Sequence, residues 1–177
     1  MRLKDKVAII TGGSRGIGFA TADAFLREGA KVAVAASSEK NAEAAVEKLK
    51  AIHPDAEVVG ISPNLGSFES VKEEFDKVEK QFGRIDILVN NAGVSESTPF
   101  TSYTEADFDR VIDLNVKGVF NATRAVVDGM IKNHSGVVLN TSSMVSISGQ
   151  PSGFAYPASK FAVNGTTISL ARELGPK

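Results

Sequence analysis

The sequence predicts an α/β fold: a doubly wound parallel sheet in three layers, with helices on both faces. Three observations lead there. Short apolar, β-branched runs alternate with longer amphipathic segments along the 177 residues. The apolar runs are nearly continuous rather than alternating, as expected for parallel strands covered on both faces. A glycine-rich turn joins the first run to the segment that follows it.

The expected strands are 6–11 (KVAIIT), 31–36 (KVAVAA), 57–62 (EVVGIS), 85–90 (IDILVN) and 136–142 (GVVLNTS). Between the second and third, Ala42, Ala45, Val46 and Leu49 recur at helical spacing. Between the third and fourth, Val71, Phe75, Val78 and Phe82 form an apolar stripe among charged residues. Two longer helices are expected at about 104–132 and 155–174. Glycines in GAK (29–31) and GRI (83–85) stand where a helix returns to a strand, a common place for glycine. Strand, helix, strand repeated in this way implies right-handed crossovers in one parallel sheet.

Composition narrows the function. A hydrophobic share of 42% and a charged share of 23% suit one globular domain spanning 1–177. The net charge is −1, without a basic block, so no nucleic-acid partner is expected. There is no cysteine, which removes disulfides and thiolate chemistry. The two histidines, His53 and His134, lack ligand-like spacing, so no metal is expected. No run approaches the ~20 apolar residues that span a bilayer, and the charged start is not a signal peptide. The expectation is a cytoplasmic protein without a membrane partner.

The first strand runs into TGGSRGIGFA (11–20), with Gly12, Gly16 and Gly18 spaced GxxxGxG. Gly12 permits a tight turn, Gly16 close backbone approach to a pyrophosphate, and Gly18 close packing of helix on sheet. The helix N-terminus then faces the anion. A dinucleotide selective for NAD would meet a carboxylate at the second strand's tip, ~20 residues beyond the loop. Here Ala36, Ser37 and Ser38 occupy that tip, and Arg15 lies in the loop. An Arg without a facing carboxylate attracts a 2′-phosphate, and the two serines can donate to it. NADP(H) is therefore expected, with NAD(H) as the alternative.

The stretch YPASK (156–160) holds one of only two tyrosines. Pro157 suits a helix's first turn. Residues i and i+4 share a helix face, so the Tyr156 phenol and the Lys160 ammonium can approach. A cation beside a phenol favours the phenolate, which suits proton transfer.

TGGSRGIG (11–18), NNAG (90–93), Asn115 in DLNVKG, NTSS (140–143) and YPASK occur in the order seen in short-chain dehydrogenases/reductases. From the first strand to the last residue, the chain resembles that family. The resemblance implies a Rossmann-like fold and a catalytic set Asn115, Ser143, Tyr156 and Lys160. Ser143 stands thirteen positions before Tyr156, the family's interval; Ser142 is the competing assignment. Tyr156 would exchange a proton with the substrate oxygen while hydride moves to or from nicotinamide, and Ser143 would orient that oxygen. Lys160 would assist Tyr156 and grip the nicotinamide ribose. Asn115, mid-helix, would hold a water relaying protons to Lys160.

For the cofactor, the resemblance implies Gly12, Ser14, Arg15, Gly16, Ile17 and Gly18 in the loop. It adds Ser37 and Ser38, then Asn64 and Leu65, then Asn91, Ala92 and Gly93, besides Tyr156 and Lys160. Asn90 is expected to support its strand instead. Asn64 stands where the family usually has Asp against the adenine amino group; its amide oxygen can still accept. Family members normally continue with further strands, a Pro-Gly turn and a substrate-covering lid, so the chain is expected to lack that region and to leave its fifth strand's edge uncovered.

The segment MVSISGQPSGF (144–154) offers no Arg or Lys to a substrate carboxylate, which favours an uncharged ketone or secondary alcohol. The glycine loop with its Ser-rich strand tip looks like 3-oxoacyl-carrier-protein reductases. PDAEVVGISPNLGS and GVVLNTSS look like bacterial hydroxysteroid dehydrogenases acting on bile acids. The former, or a broad carbonyl reductase, is expected, with the latter as alternative. A non-catalytic cofactor-sensing regulator is a rival, disfavoured by the intact tyrosine and lysine. Apolar residues over both long helices (Val119, Phe120, Val126, Phe161, Ile168, Leu170) suggest a homodimer or homotetramer.

Overall fold

The computed structural model describes residues 1–177. Five parallel strands form one sheet: β1 (Val7–Thr11), β2 (Lys31–Ala35), β3 (Val58–Ile61), β4 (Ile87–Asn90) and β5 (Val137–Asn140), in the order β3-β2-β1-β4-β5. Chain order reverses at β1, so a crevice opens beyond the carboxyl ends of β1 and β4. Register is regular: Ile9 lies between Ala33 on β2 and Leu88 on β4, and Asn90 pairs with Asn140.

The unbroken apolar runs serve two cores at once. Val7, Ile9, Ala33 and Leu88 point to one side, where Val71, Phe75 and Val78 of α3 (Phe68–Phe82) meet Ala122 and Val126. Ala8, Ile10, Val32 and Val34 point to the other. There they meet Ala22 and Leu26 of α1 (Gly16–Arg27) and Ala45 and Leu49 of α2 (Glu39–Ile52). Successive residues of a strand face opposite ways, so a strand between two helical layers is apolar at every position. Helix ends follow local chemistry. Ser38 and Ser67 accept amide hydrogens as N-caps, and Gly83 ends α3 in the left-handed region at φ 87°.

The long helix expected at 104–132 is three pieces. Thr104 and Asp107 form a capping box that starts α4 (Glu105–Ile112); a π-helical segment covers Asp113–Lys117; α5 (Gly118–Lys132) continues. A π turn inserts one extra residue into a helix, a local fault that recurs at functional sites. Here it coincides with Asn115, which is 1% exposed and bound to neighbouring backbone. Its side chain reaches out of the helix to both the N–H and the carbonyl of Val94. A short α6 (Val145–Ser148) then precedes α7 (Ala155–Leu174), which starts and stops as expected.

Val119 and Val126 are buried, whereas Phe120, Phe161 and Ile168 are exposed on α5 and α7. β5 is an edge strand with Val137 and Leu139 about half exposed. No helix is long and apolar enough to cross a membrane.

Phe75 is 1% exposed and joins α3 to the sheet. Phe75→Ala should therefore cost about 3–5 kcal/mol of stability, read from urea unfolding.

Candidate active site

The crevice beyond β1 and β4 is a groove of about 690 Å³. It is lined by Gly12, Ser14, Arg15, Gly16 and Ile17 on one side and by Asn64, Leu65, Asn91, Ala92 and Gly93 on the other. Gly12 and Gly18 are tightly packed, and Gly12 also turns at φ +65°. A Cβ on Gly18 would lie 2.2 Å from the Gly12 carbonyl oxygen, and one on Gly12 2.9 Å from the Ala92 Cα. Gly16 differs: at φ +56° it faces open space, so backbone is presented to whatever enters the groove. Open backbone at the N-terminus of a helix is a place that suits an anion such as a pyrophosphate.

Thr11 organises the far wall. Its hydroxyl accepts from the Asn91 and Ala92 amides, each at 3.0 Å. The Asn91 side chain donates in turn to the Thr11 and Gly12 carbonyls, at 3.1 and 3.3 Å. Asn90 stays out of the groove, 3% exposed, donating to Thr123 and to Asn140. The Asn64 amide oxygen accepts from the Gly66 N–H at 3.1 Å, and the Leu65 carbonyl from Asn121 at 2.7 Å. Of the second-strand serines, Ser37 lines the groove. Ser38 does not: its hydroxyl oxygen is the N-cap acceptor of α2. Arg15 is exposed at the groove's rim.

Beside the groove, one turn of α7 sets Tyr156 against Lys160, with the ammonium 5.7 Å from the ring centroid. Lys160 is 6% exposed, and its ammonium donates to the Thr141 carbonyl at 2.7 Å. Burial lowers the Lys160 pKa from its ordinary value. Asn115 makes three bonds: its oxygen accepts from the Val94 N–H, and its amide donates to the Val94 carbonyl and the Ser159 hydroxyl. Ser159 passes the connection on, donating to the Tyr156 carbonyl at 2.7 Å. Gly93 sits where a Cβ would come within 3.2 Å of the Asn115 oxygen and 3.8 Å of the Lys160 nitrogen.

The two serines are distinguished by their partners. The Ser142 hydroxyl lies 3.2 Å from the Ser146 hydroxyl and 3.4 Å from the Lys160 carbonyl. The Ser143 hydroxyl only accepts, from the Val145 N–H at 3.4 Å, which leaves its proton available to a substrate oxygen. Thr11, Thr141 and Ser159 were not singled out from sequence. Their contacts run to backbone or across up to 81 residues, so no local spacing marks them. No cluster of three or more His, Asp or Glu side chains suited to a metal is present.

A doubly wound sheet with a glycine-lined dinucleotide groove beside a Tyr–Lys pair defines a nucleotide-dependent oxidoreductase. Residues 6–177 match the family described as short chain dehydrogenase, and the chain belongs to it. It is thus an oxidoreductase acting on CH–OH groups. It is 53% identical over 175 residues to the 3alpha-hydroxysteroid dehydrogenase of Mediterraneibacter gnavus, covering 99% of this chain and 70% of that protein. It is 41% identical over 174 residues to the 3-oxoacyl-acyl-carrier-protein reductase FabG of Thermotoga maritima, covering 98% and 70%. Crystal structures of levodione reductase (36% identity, 99% of this chain and 68% of that one) and NAD+-bound xylitol dehydrogenase (33%, 99% and 67%) each superpose with a TM-score of 0.94.

Gly18→Ala should abolish saturable binding of the dinucleotide in a fluorescence titration, while circular dichroism still reports a folded α/β chain.

Proposed function

We propose that this protein interconverts an uncharged ketone and a secondary alcohol with NADP(H), using Tyr156 as proton donor and acceptor. The observation that carries this reading is the buried Lys160 ammonium, fixed by Thr141 one helical turn from the Tyr156 ring. The nicotinamide group, when bound, supplies or accepts the hydride. Tyr156 gives a proton to the carbonyl oxygen in reduction and takes it back in oxidation. The free hydroxyl proton of Ser143 orients that oxygen. The Lys160 ammonium, held 5.7 Å from the Tyr156 ring centroid, would grip the nicotinamide ribose hydroxyls. Asn115 holds Val94 and Ser159, and through Ser159 the turn bearing Tyr156. A relay water is compatible with this arrangement, because the Asn115 oxygen retains an acceptor site.

Arg15 at the rim and Ser37 in the lining, without a carboxylate at the β2 tip, support NADP(H) over NAD(H). Between the two substrate branches, two observations favour a hydroxysteroid. Identity is 53% to the hydroxysteroid dehydrogenase against 41% to the acyl-carrier-protein reductase. Met144 and Ile147, each 84% exposed, follow Ser143 closely and offer a broad apolar wall to a rigid hydrocarbon skeleton. The exposed Phe120, Phe161 and Ile168 support a homodimer or homotetramer, which a monomeric mass in light scattering would end.

Tyr156→Phe should lower kcat by about 10²–10⁴-fold in an NADPH oxidation assay, and undiminished turnover would refute the mechanism. In the unsubstituted protein, kcat/KM should be higher with NADPH than with NADH. Hydroxysteroids should be turned over in preference to acetoacetyl thioesters; the opposite ranking returns the protein to the acyl-carrier-protein reductase branch.

A further inference from the structure

The catalytic helix α7 begins without a cap of its own. Phe154 occupies the N-cap position in the helical region of backbone space, makes no side-chain cap bond, and no acidic residue lies in the first turn. The first N–H groups of a helix need partners from outside the helix. Pro157 has none to offer, which leaves the amides of Ala155 and Tyr156.

Both face side chains from the segment after β4. Glu96, sixty residues before Tyr156, accepts the Tyr156 N–H through Oε1 at 3.1 Å. The Tyr103 hydroxyl lies beside the Ala155 amide and the Glu96 carboxylate. Burial, and after it the Glu96 carboxylate, raises the pKa of the Tyr103 phenol, so it stays a neutral O–H. Glu96 Oε2 and the Tyr103 hydroxyl are both buried without a well-formed hydrogen bond, an arrangement that demands a reason.

The surrounding loop is shaped around the same carboxylate. Gln150 donates to the Glu96 carbonyl at 3.0 Å and to the Gly153 carbonyl at 3.1 Å, and the Gly153 amide donates to the Thr98 carbonyl at 3.0 Å. Gly153 adopts φ +88°, and a Cβ there would lie 2.6 Å from Glu96 Oε2 and 2.3 Å from the Glu96 carbonyl oxygen. Only glycine admits Glu96 to this position. Phe154 is seated against Phe100, Tyr103 and Phe108, with ring centroids 5.4 to 6.4 Å apart.

We propose that Glu96 is a positioning residue for the reaction: its carboxylate caps α7 from outside, at the amide of Tyr156 itself, and so sets where the phenol hangs. The favourable meeting of a carboxylate with a helix N-terminus adds to the hydrogen bond. The proposal rests on Tyr156 being the proton donor, so its test has one readout tied to turnover and one that is not.

Glu96→Ala should lower kcat roughly tenfold to a hundredfold, the scale of a small misplacement of a reacting group, with the dissociation constant for NADPH unchanged. Glu96→Gln keeps an acceptor at the same place and should restore most of that kcat. Gly153→Ala should reproduce the Glu96→Ala defect by displacing the carboxylate. Independently of activity, hydrogen exchange followed by mass spectrometry should show lost protection at 155–158 in Glu96→Ala and retained protection in Glu96→Gln. An unchanged kcat together with unchanged protection in Glu96→Ala overturns the proposal. So does a Glu96→Gln variant as impaired as Glu96→Ala, which would make the charge and not the cap responsible. If Tyr156→Phe retains turnover while the exchange pattern behaves as stated, the catalytic reading has failed and the capping contact stands.

Discussion

The Asn115 carboxamide joins the two halves of the site. Val94 follows the segment that walls the dinucleotide groove, and Ser159 belongs to the helix that carries the Tyr–Lys pair. One side chain binds both, with two hydrogen bonds to Val94 and one to Ser159. An amide buried this deeply is tolerated only when its polar atoms find partners, and here they do. The π segment at Asp113–Lys117 is the backbone consequence. A helix that kept its regular ladder through these residues would aim Asn115 differently, so a local fault in the helix accompanies a fixed relation between the groove and the turn that carries Tyr156.

Burial of Lys160 raises the same question with a charge. An ammonium drawn out of water is costly unless hydrogen-bonded, and the Thr141 carbonyl supplies the bond just after β5. The end of β5 is itself tied into the fold by a polar row. Asn90 on β4 donates to Thr123 of α5 and to Asn140 on β5, and Asn140 donates to Thr167 of α7. Specific partners at these positions leave little freedom for α7 to shift over the sheet. Glu96 adds a tie at the helix's start. Groove, strand ends and α7 are therefore held by directional contacts, while the two apolar cores hold the layers together without direction.

Much of this was legible in the residues. The five strands lie within the expected stretches, and for β1 the reason is plain: a strand covered on both faces is apolar throughout, and Val7–Ile10 has that pattern. The stripe Val71, Phe75, Val78 announced α3 for the complementary reason, a single buried face. Lys160 and Tyr156 fall four apart on one helix, and that proximity follows from helical geometry alone. Two expectations were incomplete. The run 104–132 looked like one helix, because a π turn has no composition of its own. Ser38 looked free to meet a cofactor, but a serine just before a helix is also the preferred N-cap, and that role places it outside the groove lining.

By itself the sequence determined the alternation of elements, the glycine-rich turn that admits an anion, the spacing of Tyr156 and Lys160, and the family. Each is written in patterns within a few residues or in an ordered set of motifs. Only the tertiary structure decided which hydroxyl of the Ser142–Ser143 pair keeps a free proton, that Thr11 and Thr141 orient their neighbours, and that Glu96 meets the amide of Tyr156. Those facts depend on where chain segments dozens of residues apart come to rest. A hydrogen bond acts over about 3 Å, and no local sequence pattern records which distant atoms will arrive within that reach.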